Sequence, residues 1–307
     1  MAWDILLLAV GIIFLVKFSD VTIERAAHLS KLTGISHFAI GFIFIAVSTS
    51  LPEFSIAVIS ALAKENDLSL GNLVGANITL LTLIIGLLAF VGFRPSKKDF
   101  LELDLAVIIT SIVALFLLAT KVSNLAVGIF AVILFYVFSE QIVSKGIDIG
   151  MNNNKGLPVV DKVKASLELV ASVLVVVASA YIVTQSAINI SKTFGIAETI
   201  LGATILSIGT TLPELSVNTA AIRKNDIGLA VGDTVGSIVT NLTLILGISS
   251  IINPIIIGRI ESFILALFVL VSLVFLFLAT RLEFDKWTGV ILIAMYIVYL
   301  AILTVML

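Results

Sequence analysis

The sequence predicts an all-α membrane protein of ten transmembrane helices, arranged as two inverted-topology five-helix repeats with broken helices at the midplane. Three observations carry that expectation. The 307 residues are 60% hydrophobic and only 12% charged, with a mean hydropathy of +1.22, whereas soluble domains carry about 25% charged residues. Ten apolar stretches are each long enough to cross the hydrocarbon core of a bilayer. A motif around Pro52 returns around Pro213, 161 positions on.

The segments follow in order. The first, 3–25, has no basic residue ahead of it and no clear cleavage site, so it reads as a mature helix and not as a secretion signal. The second, 36–63, carries Pro52 near its middle, and the third, 69–92, carries Gly71, Gly75 and Gly86. Segments 102–120 and 122–143 are almost wholly apolar and part at Lys121. The clearly polar connection, Ser144–Lys162, contains Met151-Asn152-Asn153-Asn154-Lys155-Gly156. It divides the chain into 1–144, the connecting loop 145–162, and 163–307. Segments 163–190, 197–222 (with Pro213), 228–253 (with Gly232, Gly236 and Gly247), 259–280 and 286–306 complete the second set.

Lys17, Arg25, Lys31, Arg94, Lys97, Lys98, Lys145, Lys155, Lys162, Lys164, Arg223, Lys224, Arg281 and Lys286 fall on one side of that topology. Lys64, Lys121, Lys192 and Arg259 fall on the other. The bias puts the central loop in the cytoplasm and both termini outside a plasma membrane. At the fixed offset, 34–86 aligns with 195–247 without a gap, and nine of 17 residues are identical between 71–87 and 232–248. Five helices per half is an odd number, so the second half enters the bilayer in the opposite direction, with any site where the halves meet at the midplane.

Composition also excludes. With no cysteine, disulfides, thiolate metal sites and cysteine nucleophiles are ruled out. No H-E-x-x-H, G-x-S-x-G or phosphate-loop pattern occurs, which argues against an enzyme or an ATP-driven pump. His28 and His37 read as surface residues, with pH sensing as the functional alternative.

The repeated motif reads Ala46-Val47-Ser48-Thr49-Ser50-Leu51-Pro52-Glu53 and Ser207-Ile208-Gly209-Thr210-Thr211-Leu212-Pro213-Glu214. A proline inside a helix removes a backbone bond and breaks the turn before it, which should release carbonyls around Ala46, Thr49, Ser207 and Thr210. Those carbonyls, the Ser50 and Thr211 hydroxyls, and the Glu53 and Glu214 carboxylates make an all-oxygen set suited to a hard cation. The plain alternative is a capping box, S-x-x-E with proline early in the new helix. Capping accounts for the break but not for two acids at corresponding depths, where a carboxylate costs roughly 2.5–3.5 kcal/mol.

The second repeated element is Gly71-Asn72-Leu73-Val74-Gly75-Ala76-Asn77 against Gly232-Asp233-Thr234-Val235-Gly236-Ser237-Ile238. Glycines four apart let helices approach closely. That does not account for Asn72, Asn77, Asp233, Ser237, Thr240 and Asn241 in apolar surroundings, and Asn72, Asn77 and Asp233 are candidates for an ion path. Asp233 lies nearer the end of its segment than the glutamates do, which leaves ligation, a vestibule and a structural role open.

The paired T-[ST]-L-P-E and G-[ND]-x-x-G segments resemble the repeats of the cation/Ca²⁺ exchanger superfamily, prokaryotic sodium/calcium-exchanger-like members above all, over essentially the whole chain. The resemblance implies a secondary antiporter working by alternating access, Ca²⁺ one way and Na⁺ or H⁺ the other, with no resident cofactor. By position it makes Glu53 and Glu214 the central Ca²⁺ ligands. Ser50, Thr211 and the Thr49 and Thr210 carbonyls complete the cation sites, with Ala46 and Ser207 at the edges and Ser237 and Asn241 on the flank. Sodium exchangers of the family place an amide and an acid where this chain has Leu80 and Asn241, and serine where it has Ala76. Proton-coupled members carry glutamate where it has Gly75 and Gly236. The expected partners are inorganic cations and the lipid bilayer, with no nucleic acid and no obligatory protein. A cation channel and a transporter of another divalent ion such as Mg²⁺ are the rival readings.

Overall fold

The computed structural model describes residues 2–33, 49–95, 97–146, 159–223, 227–281 and 285–305. Lipid offers no partner to a backbone N–H or C=O, so an apolar chain must satisfy both within helices. The first helix, α1 (Ala2–Thr33), is followed by α2 (Leu51–Ala63). Next comes α3 (Asn66–Thr79), which passes through a π-helical turn at Leu80–Ile84 into α4 (Ile85–Val91). Then come α5 (Lys97–Thr120), α6 (Leu125–Gly146) and α7 (Val159–Phe194). A short α8 (Glu198–Leu201) runs through a π-turn at Gly202–Leu206 into α9 (Ser207–Thr210), and α10 (Leu212–Arg223) continues after the break. Helix α11 (Ile227–Thr240) passes through a π-turn at Asn241–Ile245 into α12 (Leu246–Ile252), and α13 (Arg259–Arg281) and α14 (Lys286–Thr304) close the chain.

Among the described residues seven segments are long and apolar enough to cross a membrane: Asn66–Val91, Phe100–Thr120, Val170–Phe194, Glu198–Arg223, Ile227–Ile252, Arg259–Thr280 and Lys286–Thr304. Two further apolar helices, Leu51–Ala63 and Leu125–Gln141, are shorter. Three boundaries differ from the sequence expectation. Helix α1 continues to Thr33, α6 ends at Gly146 and α7 begins at Val159, so the connection expected at 145–162 is helical at both ends. Hydropathy marks the part of a helix that sits in lipid. Charged residues beyond it can extend the same helix into water at little cost.

The all-α expectation needs one small amendment. Strands β1 (Val122–Ser123) and β2 (Ile255–Ile256) pair antiparallel, Val122 opposite Ile256. They tie the end of α5 to the turn after α12. At the other end of the last connection Asp285 caps α14, accepting from the Thr288 N–H at 2.9 Å, and that bond holds its carboxyl below the usual range.

Polarity runs inside out. Leu101, Ile112, Phe130, Leu270, Phe277 and Ile297 are exposed, whereas Glu53, Glu214, Asn72, Asn77, Asn218 and Asn241 are fully buried. The apolar interior forms two clusters. The larger runs through α3 to α5 and α11 to α14. The smaller joins Leu8 and Leu15 of α1 to Val176, Ala180, Val183 and Ala187 of α7. Helices α1 and α7 run antiparallel: Asn189 donates to Asp4 at 3.1 Å near one end, and Arg25 meets Glu168 at 3.1 Å near the other.

At two close helix crossings glycine faces glycine. A Cβ at Gly128 would lie 2.7 Å from the Gly247 carbonyl oxygen, and one at Gly289 would lie 2.7 Å from that of Gly86. These two crossings exchange under the 161-residue offset, Gly86 with Gly247 and Gly128 with Gly289. The π-turns at Leu80–Ile84 and Asn241–Ile245 obey the same offset.

Candidate functional site

Both motif segments break, and they break at the same place. Ser50 (φ −79°, ψ 11°) precedes α2, and its counterpart Thr211 (φ −87°, ψ 4°) separates α9 from α10. Each break is one residue wide, in the bridge region of backbone space. The Phe54 N–H donates to the Ser50 carbonyl at 2.9 Å and the Leu215 N–H to that of Thr211 at 3.2 Å. Glu53 and Glu214 follow directly, in the first turn of the new helix, and both are fully buried.

The capping box does not form. Ser50 makes no side-chain cap, and its Oγ is buried without a hydrogen-bond partner. Thr211 turns its hydroxyl back along the helix, donating to the Ser207 carbonyl at 2.8 Å. That carbonyl also accepts the Thr211 N–H at 3.2 Å. Ser207 therefore does not present the open carbonyl expected of it: Pro213 removes the bond to residue 209 and not the one to 207, so the Thr211 N–H and hydroxyl both remain to occupy it. The Ser207 hydroxyl is likewise engaged, donating to the Ala203 carbonyl at 3.0 Å. Ala46 lies outside the described residues.

The two halves interlock through matched bonds. Thr49 donates to Asp233 Oδ1 at 2.9 Å, and its counterpart Thr210 donates to Asn72 Oδ1 at 3.3 Å. Thr49 also lies 3.2 Å from the Ser237 hydroxyl, which in turn donates to Glu214 Oε1 at 3.4 Å. A continuous path of oxygens thus runs from Asp233 through Thr49 and Ser237 to Glu214. Glu53 lies near enough to both other acids for their charges to repel, with the Thr210 hydroxyl beside it but outside hydrogen-bond geometry. Neither oxygen of Glu53 has a hydrogen-bond partner, and neither does Glu214 Oε2.

Asp233, for which the sequence leaves ligation, a vestibule and a structural role open, lies close to both glutamates. Its place is set by side-chain contact between α10 and α11 and not by depth counted along its segment. Asn218, one turn beyond Glu214 on the same face of α10, donates to Thr234 at 3.2 Å, and its amide sits beside Asp233. Asn218 was missed. Its position four residues after Glu214 in an apolar segment was the available signal.

Asn77 and Asn241 form a separate pair. The Asn77 amide donates to the Ile238 carbonyl and the Asn241 amide to Asn77 Oδ1, each at 2.9 Å. Leu80, the counterpart of Asn241, is fully buried and adds no oxygen. A cavity of about 520 Å³ is lined by Leu212, Leu215, Ser216, Thr219, Ala220 and Arg223. These residues lie on the face of α10 opposite Glu214 and Asn218, so the cavity takes no part in the site.

Buried oxygens without donors are what a hard cation would satisfy. Comparison with known proteins places the chain among relatives. The family model for sodium/calcium exchanger protein matches residues 3–140 and 165–305. The sodium/calcium exchanger MaX1 of Methanosarcina acetivorans is 28% identical over 98% of this chain and 98% of its own length. The inner membrane protein YrbG of Escherichia coli is 30% identical over 97% of this chain and 95% of its own. A solved structure of the sodium-calcium exchanger NCX_Mj superposes over 97% of both chains with a TM-score of 0.68 at 24% identity, a likeness of fold.

Proposed function

Because this chain belongs to the sodium/calcium exchanger protein family, we propose that it is a secondary antiporter exchanging Ca²⁺ for Na⁺ by alternating access, with Ca²⁺ bound between Glu53 and Glu214. One observation carries the reading: two fully buried glutamates follow corresponding helix breaks, with three of their four carboxylate oxygens unpartnered. Two such charges repel each other and are costly to bury alone. A divalent cation between them cancels both charges. The Ser50 hydroxyl and the Thr49 and Thr210 carbonyls would supply the further oxygens that Ca²⁺ requires, joined by the Thr211 hydroxyl once it rotates away from the Ser207 carbonyl. Na⁺ competes for the same oxygens, so one kind of ion is carried per crossing.

The division into 1–144 and 163–307 as inverted repeats draws support from the exchanged glycine crossings, the paired Thr49–Asp233 and Thr210–Asn72 bonds, and the antiparallel first helices. In that plan the site lies at the midplane, where a carriage can open to either side. The first two helices of each half are the candidates for the moving part, with α1 and α7 joined in one apolar cluster that also takes in Ile56, Leu68, Leu201 and Leu206.

H⁺ is a second reading of the counter-ion. It is favoured by the apolar Leu80, which adds no oxygen where the other half has Asn241.

Radioactive Ca²⁺ uptake into proteoliposomes tests the reading, with a Na⁺ gradient compared against a pH gradient and the voltage clamped by K⁺ and valinomycin. The Na⁺ gradient is expected to drive uptake, and Glu53→Gln or Glu214→Gln to lower it at least about a hundredfold, the scale of a lost buried charge contact. Uptake driven by the pH gradient alone would assign H⁺ instead. Flux that needs no counter-ion would mark a channel, and transport of Mg²⁺ but not Ca²⁺ would mark another divalent carrier.

A further inference from the structure

We infer that Asn77 is a positioning residue for ion selection. It engages the amide nitrogen of Asn241 and leaves that side chain's carbonyl oxygen as the free end, so position 241 offers a passing cation an oxygen and not an N–H. The inference rests on the antiporter reading and adds to it what fixes the polarity of the site's uncharged flank.

The two bonds have a direction. A backbone carbonyl only accepts, so the 2.9 Å bond between Asn77 and the Ile238 carbonyl puts the Asn77 nitrogen on that carbonyl. Asn77 Oδ1 then faces Asn241. It too only accepts, so the Asn241 nitrogen must meet it, as it does at 2.9 Å. Asn241 Oδ1 is what remains, buried and without a hydrogen-bond partner. Turning either amide over would set two acceptors against each other. Asn77, Ile238 and Asn241 are fully buried, out of reach of bulk water, so the mismatch would stand at the full cost of unpaired polar groups.

The pair also has a singular place in the two-repeat plan. Residues 77 and 238 exchange under the 161-residue offset, so the Asn77–Ile238 bond joins a residue to its own counterpart, at the pseudo-two-fold axis of that plan. Asn241 answers in the same way to Leu80. Both amides thus stand where the other half carries an aliphatic side chain, and Ile238 and Leu80 are each fully buried. Packing alone is served without an amide at either place. Asn241 follows Ser237 by one helical turn, on the face that Ser237 turns to Glu214, to which it donates at 3.4 Å. An amide carbonyl attracts a cation and an amide N–H repels it, so the sense of this one side chain changes what the flank does to an ion. Asn77 spends both of its own ends on these bonds and acts through Asn241.

The test is a double-mutant cycle on the full-length protein in proteoliposomes: wild type, Asn77→Leu, Asn241→Leu and the two together. Half-saturating concentrations are read from radioactive Ca²⁺:Ca²⁺ exchange with no Na⁺ present and from radioactive Na⁺:Na⁺ exchange with no Ca²⁺ present. Unfolding midpoints are read in detergent. Asn77→Leu is expected to raise the half-saturating concentration of at least one cation about three- to tenfold. In Asn241→Leu protein the same change should leave that value within about twofold, because no amide is left to orient. The unfolding midpoint should fall in both backgrounds, since the Ile238 carbonyl loses its donor in either, and this separates positioning from support of the fold. No rise for either cation in Asn77→Leu protein overturns the inference. So does an equal rise in the Asn241→Leu background, where Asn77 would be acting through the fold or on the ion itself. Should Asn77→Leu not fold, Asn77→Ser, too short to span both partners, takes its place in the cycle. Wild-type protein that exchanges only one of the two cations refutes the antiporter reading instead, and the cycle is then read on that cation.

Discussion

Thr49 and Ser50 are adjacent hydroxyls with opposite situations. The first is bonded across the molecule to Asp233, and the second is buried with its oxygen unpartnered. Thr49→Val would leave a buried carboxylate oxygen without its donor and should cost about 1–3 kcal/mol, read as a lower unfolding midpoint in detergent. Ser50→Ala deletes a hydroxyl that holds nothing in the protein, so the midpoint should stay within about 0.5 kcal/mol while the Ca²⁺ affinity falls. Equal losses of stability in both variants would remove Ser50 from the ligand set. At this scale the motif acids and hydroxyls were legible, because a carboxylate in an apolar segment is conspicuous by its cost. The fate of each hydroxyl was not. Whether Thr211 faces the site or turns back on the Ser207 carbonyl depends on a rotamer, and sequence does not set rotamers.

The helices carry two kinds of irregularity, and they were not equally readable. Pro52 and Pro213 announced the breaks. The π-turns at Leu80–Ile84 and Asn241–Ile245 had no such signal, since an extra residue in a turn leaves apolar periodicity nearly unchanged. Close approach explains part of the glycine motif. A Cβ at Gly75 would lie 2.6 Å from the Ala203 Cα, and one at Gly71 would collide with the Thr199 carbonyl. Both contacts are backbone, which cannot swing aside. Gly75→Ala should therefore force α3 away from the π-turn at Gly202–Leu206 at a cost of about 1–3 kcal/mol, lowering both the unfolding midpoint and the rate of Ca²⁺ uptake. An alanine variant of native stability would mean that the two backbones are less tightly apposed.

For the molecule as a whole, orientation follows from the distribution of basic residues, and the chain offers a clean way to examine it. With no cysteine anywhere, a single introduced one reports its own side. Asn153→Cys should react with a membrane-impermeant maleimide only after cells are opened, and Thr304→Cys should react in intact cells. The reverse pattern would invert the topology and with it the side to which α10 leads from the site. The antiparallel packing of α1 on α7, held by Asp4–Asn189 at one end and Arg25–Glu168 at the other, is a feature of this scale alone.

Composition determined by itself that the chain lives in lipid, and the offset of 161 residues determined that its halves correspond, because both rest on transfer cost and periodicity, which are local properties. The pair of buried glutamates followed from the same source. Tertiary structure decided which acids meet. Asp233 reaches the site through the packing of α11 on α10 and a bond from Thr49, 184 residues away, and Asn218 beside it acquires meaning in that company. Sequence gives the cost of burying a charge; the position of the other charges, set by packing among distant segments, decides what the burial is for.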